Sequence, residues 1–147
     1  MTIYLACTVR GDRGAIEGLR ALVAALERGG HGILTKHLLD DNVDTAESAL
    51  SERDVYARDI EWLERCDALI ADASGSSYGV GFEVGYVLGR ADRTNQRVVL
   101  LYRADRREKV SRLIVGNAHP RCHVVAYETA QELTDAVLLH LGQPTKG

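Results

Sequence analysis

The sequence predicts an α/β domain built on one doubly wound, five-stranded parallel sheet of the Rossmann or flavodoxin type. Short apolar runs rich in β-branched residues alternate with longer stretches of helical period. The alternation continues along 147 residues, one domain's worth of chain. No repeat or low-complexity segment interrupts it. Such a pattern buries both faces of a parallel sheet beneath helices.

Taken in order, the elements are a strand at Ile3–Cys7, a helix over 14–28 and a strand at Gly32–Thr35. Leu38–Leu50 follows, acidic and weakly patterned, and longer than an ordinary connection; a lid and a surface excursion fit it equally. A helix over 52–66 opens at Ser51 with a capping box in which Asp54 replaces the usual Glu or Gln. Next come a strand at Ala68–Ala71, a helix over 80–91, a strand at Val98–Tyr102 and a short helix near 107–114. The last elements are a strand at His123–Ala126 and a helix over 129–141. One domain is expected over 1–142, with 143–147 a flexible tail carrying Pro144.

Net charge is −3 with acids and bases intermixed, which disfavours a nucleic-acid track and leaves any phosphate partner small and locally bound. Cys7, Cys66 and Cys122 are far apart and lack ligand spacing, so neither a disulfide framework nor a metal is expected. The first apolar run is too short for a signal segment and nothing approaches a membrane span, so a cytoplasmic protein without a membrane partner is expected.

In a sheet of this kind ligands sit beyond the carboxyl ends of the strands, where strand order reverses. The loops to search are those after the first and third strands, CTVRGDRG and ASGSSYGVG. On the helix over 52–66, Trp62, Val55, Cys66, Leu63, Tyr56 and Ile60 share one arc, with Arg58 on the opposite side and Asp59 in the middle of the apolar arc. An inward carboxylate must be hydrogen-bonded, paired or neutralised. A structural aspartate that accepts backbone N–H groups or pairs with Arg10 is one reading, and a catalytic group the other. Glu83 falls in the first turns of its helix, where the macrodipole favours the ionised form. It suits a nucleophile, and equally a charge complement solvated by Arg90. Gly79, Gly81, Gly85 and Gly89 burden that helix unless close packing or backbone approach to a ligand compensates.

Two carboxylates on adjacent elements form the arrangement that cleaves glycosidic bonds, one acting at the anomeric carbon and one managing a proton. Thr8, Arg10, Gly11 and Arg13 offer hydroxyl, guanidinium and backbone donors for phosphate near a helix N-terminus, with an ordinary surface role open for Arg13. The loop is neither a Walker A nor a GxGxxG sequence, which argues against a nucleoside triphosphate or a dinucleotide.

IYLACTVRG, LTKH (34–37), RDIEWLERCDALIAD (58–72), SYGVGFEVG (77–85) and SRLIVGNA (111–118) closely resemble the 2′-deoxynucleoside 5′-monophosphate N-glycosidases. These form a branch of the nucleoside 2-deoxyribosyltransferase superfamily. The resemblance implies Glu83 as nucleophile, Asp59 as the residue handling the departing base, and Tyr4 orienting nucleophile and sugar. It places the 5′-phosphate on Ser77, Arg10 and Gly11, with Ser111 reaching it from the other subunit of a homodimer, and His37 on the base side. Gly79 belongs to the same binding stretch. Cys7-Thr8 replaces the family's Gly-Ser: Thr8 keeps the hydroxyl, while Cys7 adds a side chain. Asn117 stands where relatives carry alanine and is expected to extend contacts across the dimer.

The expectation is therefore a cofactor-free hydrolase acting through a covalent glutamyl intermediate. Base exchange by a nucleoside 2-deoxyribosyltransferase and a nucleotide-binding sensor without turnover are the alternatives. The preferred base is not written in any residue of known geometry.

Overall fold

The computed structural model describes residues 1–142, so the expected tail at 143–147 lies outside the described residues. Its strands are β1 Thr2–Ala6, β2 Gly32–Ile33, β3 Ala68–Asp72, β4 Arg97–Arg103 and β5 Cys122–Tyr127. They pair in parallel in the order β2-β1-β3-β4-β5. The helices are α1 Ile16–Arg28, α2 Val43–Glu47, α3 Glu52–Arg65, α4 Tyr78–Leu88, α5 Ala91–Thr94, α6 Arg112–Val115 and α7 Ala130–Gly142. The predicted five-stranded, doubly wound sheet is present.

Strand period places the site. In β1, Ile3 and Leu5 pack with Leu19 and Leu22 of α1 and Leu133 and Val137 of α7. Tyr4 and Ala6 point the other way, onto Leu63 of α3 and Val80, Val84 and Val87 of α4. β3 is buried along its whole length, as a central parallel strand should be. Strand order reverses between β1 and β3, and the crevice at their carboxyl ends lies beneath α3 and α4.

Four boundaries differ from expectation. β2 stops at Ile33 because the Thr35 side chain takes over the ladder: its Oγ1 accepts from the Leu5 N–H at 2.8 Å and donates to the Leu5 carbonyl at 2.6 Å. The helix expected over 80–91 begins at Tyr78, behind an N-cap at Ser77, and ends at Leu88. Near 107–114 a 3-10 segment, Ala104–Lys109, is separated from α6 by Val110 and Ser111, and the Ser111 side chain caps α6. Leu38–Leu50 is an ordered flap, comprising a 3-10 turn at Lys36–Leu39 and α2. Buried Leu38, Leu39 and Val43 anchor it to the α1 side of the core. Arg13 donates to the Leu38 and Asp40 carbonyls, and Arg20 to that of Leu39, so Arg13 serves the flap.

Candidate active site

Tyr4, aimed at the α3–α4 layer by its place in β1, donates its hydroxyl to Glu83 Oε1 at 2.6 Å. Glu83 is the sixth residue of α4, one turn deeper than the macrodipole argument needs. Burial governs it instead, pushing its pKa up to about 7, while the Tyr4 hydrogen bond opposes the rise and the Asp59 charge adds to it. Burial and the Glu83 charge push the Tyr4 phenol far above its ordinary range, so it remains a donor. Arg90 does not solvate Glu83: it pairs with Glu64 at 2.8 Å and lies over the Tyr86 ring.

Asp59 is inward, as the helical wheel requires, but its partner is Arg58 rather than Arg10. Arg58 Nε donates to Asp59 Oδ1 at 2.9 Å. The same guanidinium reaches Glu47 of α2 through Nη1 at 2.9 Å and Nη2 at 3.2 Å, and rests over Trp62 at 4.9 Å. Glu47 Oε1 also meets His37 Nε2 at 2.9 Å. Burial pushes the Asp59 carboxyl up, and Arg58 pulls against it.

Asp59 and Glu83 open onto one cavity of about 540 Å³. Cys7, Ser77 and Gly79 contribute on the sheet side, and the flap contributes Leu38, Asp44, Glu47 and Leu50. Burial holds the Cys7 thiol protonated, with its pKa pushed up to about 12. An apolar recess of about 150 Å³, walled by Tyr56, Ile60, Leu63 and Phe82, reaches the same two carboxylates from the outer side of α3 and α4.

The other expected residues divide into two groups. Arg10, with its side chain 81% exposed, stands at the cavity rim and pairs with Asp44 of the flap at 3.0 Å. Thr8 is buried, and its Oγ1 has no hydrogen-bond partner among the described residues. It faces Gly75, where a Cβ would come within 1.9 Å of that oxygen, so glycine lets the two loops meet. Gly11 uses the freedom of its type at φ +102°. Ser77 Oγ accepts from the Val80 N–H at a long 3.5 Å. His37 lies behind the wall, against Glu47 and 5.8 Å from the Trp62 ring. Ser111 and Asn117 lie away from this cavity: Ser111 Oγ accepts from the Leu113 N–H at 3.3 Å, and Asn117 Oδ1 from the His119 N–H at 3.0 Å.

Sequence reasoning missed Glu47 and Arg58. Arg58 was assigned to the outer face because its Cα lies there, yet its long stem folds back over Trp62. Adjacency to Asp59 was the available signal. Glu47 sits in a segment whose pattern gave none. No helix among the described residues is long and apolar enough to cross a membrane.

Two carboxylates and a tyrosine thus meet at the carboxyl ends of β1 and β3. Residues 3–135 match the nucleoside 2-deoxyribosyltransferase family, and the chain belongs to it. Among its relatives, a Thermofilum pendens protein provisionally named 2′-deoxynucleoside 5′-phosphate N-hydrolase 1 is 41% identical over 132 residues, covering 90% of this chain and 89% of the relative. The 5-hydroxymethyl-dUMP N-hydrolase of Danio rerio is 32% identical, covering 87% of each chain. The human protein of the same name is 31% identical, covering 88% of this chain and 73% of the relative. In fold, a CMP N-glycosidase of Clostridium botulinum, BcmB, superposes with TM-score 0.69 at 20% identity over 95% of this chain and 99% of its own.

Proposed function

We propose that the protein hydrolyses the N-glycosidic bond of 2′-deoxynucleoside 5′-monophosphates, releasing free base and 2-deoxyribose 5-phosphate. The observation that carries this reading is the Tyr4–Glu83 hydrogen bond facing Asp59 across one cavity. The names of the relatives, N-hydrolases of deoxynucleotides, support the substrate class and the bond. Ionised Glu83, oriented by Tyr4, attacks C1′. The C1′–N bond breaks with its electron pair moving to the base, and Asp59 supplies a proton there. Asp59, now a carboxylate, takes a proton from water as that water attacks C1′. The glutamyl ester breaks, Glu83 is restored, and configuration is retained. A 2′-deoxy sugar suits this path, since the oxocarbenium-like transition state lacks an electron-withdrawing 2′-hydroxyl. Cytoplasmic nucleotide breakdown is the setting the reading implies.

A panel of deoxynucleotides and deoxynucleosides, incubated with and without an acceptor base, tests the reaction. Free base and 2-deoxyribose 5-phosphate are the expected products. Acceptor-dependent base exchange points to the transferase, and ligand binding without turnover to the sensor. Asp59→Asn is expected to lower turnover of natural substrates by roughly 10²–10⁴-fold. A substrate with an activated leaving group should suffer much less. An equal fall for both would make Asp59 an orienting group rather than the proton donor.

The same reading includes a homodimer with composite sites. Its support is a set of exposed apolar side chains on α4 and α6: Tyr78 is 98%, Phe82 53% and Leu113 83% exposed. A Cβ at Gly81 or Gly85 of α4 would meet open space, so the glycines leave room for a close neighbour. A second subunit there would also close the recess over Asp59 and Glu83. Ser111, which does not line its own chain's cavity, would then be offered to the partner's phosphate. Mixed Glu83→Gln and Ser111→Ala protomers should recover activity after subunit exchange, because one site of each heterodimer is wholly native. A mixture shown to contain heterodimers that stays at the weighted mean of its parents would remove Ser111 from the site.

A further inference from the structure

Glu47 lies on the flap, outside every motif that suggested the site, yet it is the junction of the site's charged network. Its Oε1 is shared by His37 Nε2 and Arg58 Nη1, both at 2.9 Å, and its Oε2 accepts from Arg58 Nη2 at 3.2 Å. The side chains are withdrawn from solvent, at 15% exposure for Glu47, 22% for Arg58 and 25% for Asp59. The remaining guanidinium nitrogen, Nε, serves Asp59 at 2.9 Å. Arg58 is thus held by its fork to the flap, by its face to Trp62 and by its edge to Asp59.

We propose that Glu47 is a positioning residue that fixes Arg58 between itself and Asp59, takes up part of its charge, and so sets how readily Asp59 gives its proton to the departing base. The proposal rests on the N-hydrolase reading above. One cation is divided between two carboxylates, so neither is fully neutralised. The groups facing Asp59 come from every side: Arg58 on α3, Glu47 on α2, His37 on the 3-10 turn, Glu83 on α4 and Tyr4 on β1. Glu52, Arg10 and Asp44 line the same cavity. The Glu47 charge discourages ionisation of Asp59 directly, and it also occupies part of the Arg58 charge that would promote it. Because Glu47 rides on the flap, seating the flap assembles the proton donor. A detached flap would leave Arg58 to Asp59 alone and favour a carboxylate with no proton to give.

Two substitutions that break the same ion pair therefore have opposite effects. In Glu47→Gln the Arg58 charge falls wholly on Asp59, whose apparent pKa should drop by about one unit. In Arg58→Gln, Asp59 is left facing Glu47 and Glu83, and its apparent pKa should rise by about 1–3 units. Arg58→Lys, which keeps the charge but cannot reach Glu47, Trp62 and Asp59 at once, should move the Asp59 titration less than Arg58→Gln does. Carboxyl-carbon NMR titration reads these shifts, with the Asp59 signal identified by its loss in Asp59→Asn. Glu47→Gln should also lower turnover of natural substrates more than of substrates with activated leaving groups. An Asp59 titration unmoved by either substitution, or moved in the same direction by both, overturns the proposal. The titration needs no turnover, so an inactive wild-type protein counts against the reaction, whereas an indifferent Asp59 counts against Glu47.

Discussion

Glu83→Gln is expected to lower turnover by roughly a thousandfold or more while leaving the fold intact, because it removes the charge of the proposed nucleophile with little change of volume. The same substitution should stabilise the protein at alkaline pH. Glu83 has its folded-state pKa raised from an ordinary 4.5 to about 7, chiefly by burial. The folded state therefore holds a proton that the unfolded chain has already released. That contribution is fully present below about 4.5 and is lost as pH rises through about 7. Glutamine does not titrate, so the variant's stability advantage in urea unfolding should grow by on the order of 3 kcal/mol between pH 4.5 and 8. Base release by the wild type should fall as pH drops below about 7, where Glu83 takes up its proton. Turnover retained in the variant would end the nucleophile assignment. A pH-independent stability difference would end the claim that burial governs this carboxyl.

The sheet was legible in the sequence because each strand is an apolar run with a period that a parallel sheet demands, and all five strands appear in the expected order along the chain. β2 was overextended because the cue that ends it is one threonine, whose hydroxyl replaces a ladder rung only once β1 is alongside. Asp59 was legible from one helix, since a carboxylate among apolar neighbours is conspicuous at helical period. Its partner was not, because a helical wheel records where Arg58 leaves the backbone rather than where four flexible bonds carry its charge. Glu47 depends on a contact between elements with no shared pattern. Helix-terminal position was the wrong argument for Glu83: the helix begins earlier than its glycines suggest, and a second-turn carboxylate answers to burial more than to the dipole. Ser111 and Asn117 do not line the cavity of their own chain, and their side chains serve local turns there.

Removal of the 5′-phosphate from the substrate should lower kcat/KM by roughly 10²–10⁶-fold, since two or three charged hydrogen bonds of about 1.5–3 kcal/mol each would be lost. In the proposed reaction the 5′-phosphate would be held by the loop after β1 and the start of α4. Ser77 Oγ makes a long bond within its own helix turn, and α4 starts at the cavity, whereas the buried Thr8 Oγ1 faces Gly75 rather than the cavity lining. Arg10 is held by Asp44 across the rim, with both side chains largely exposed. An exposed ion pair of this kind is worth about 0–1 kcal/mol, so a phosphate dianion should displace Asp44 readily. Arg10→Ala should therefore lower kcat/KM for the nucleotide and leave the poor nucleoside reaction nearly unchanged, narrowing the ratio between them. Asp44→Asn, which removes only the competitor, should leave kcat unchanged and hold or lower KM for the nucleotide. Equal efficiency on nucleoside and nucleotide in the wild type would leave Arg10 and Ser77 without a ligand, and would shift the reading to base exchange on unphosphorylated nucleosides.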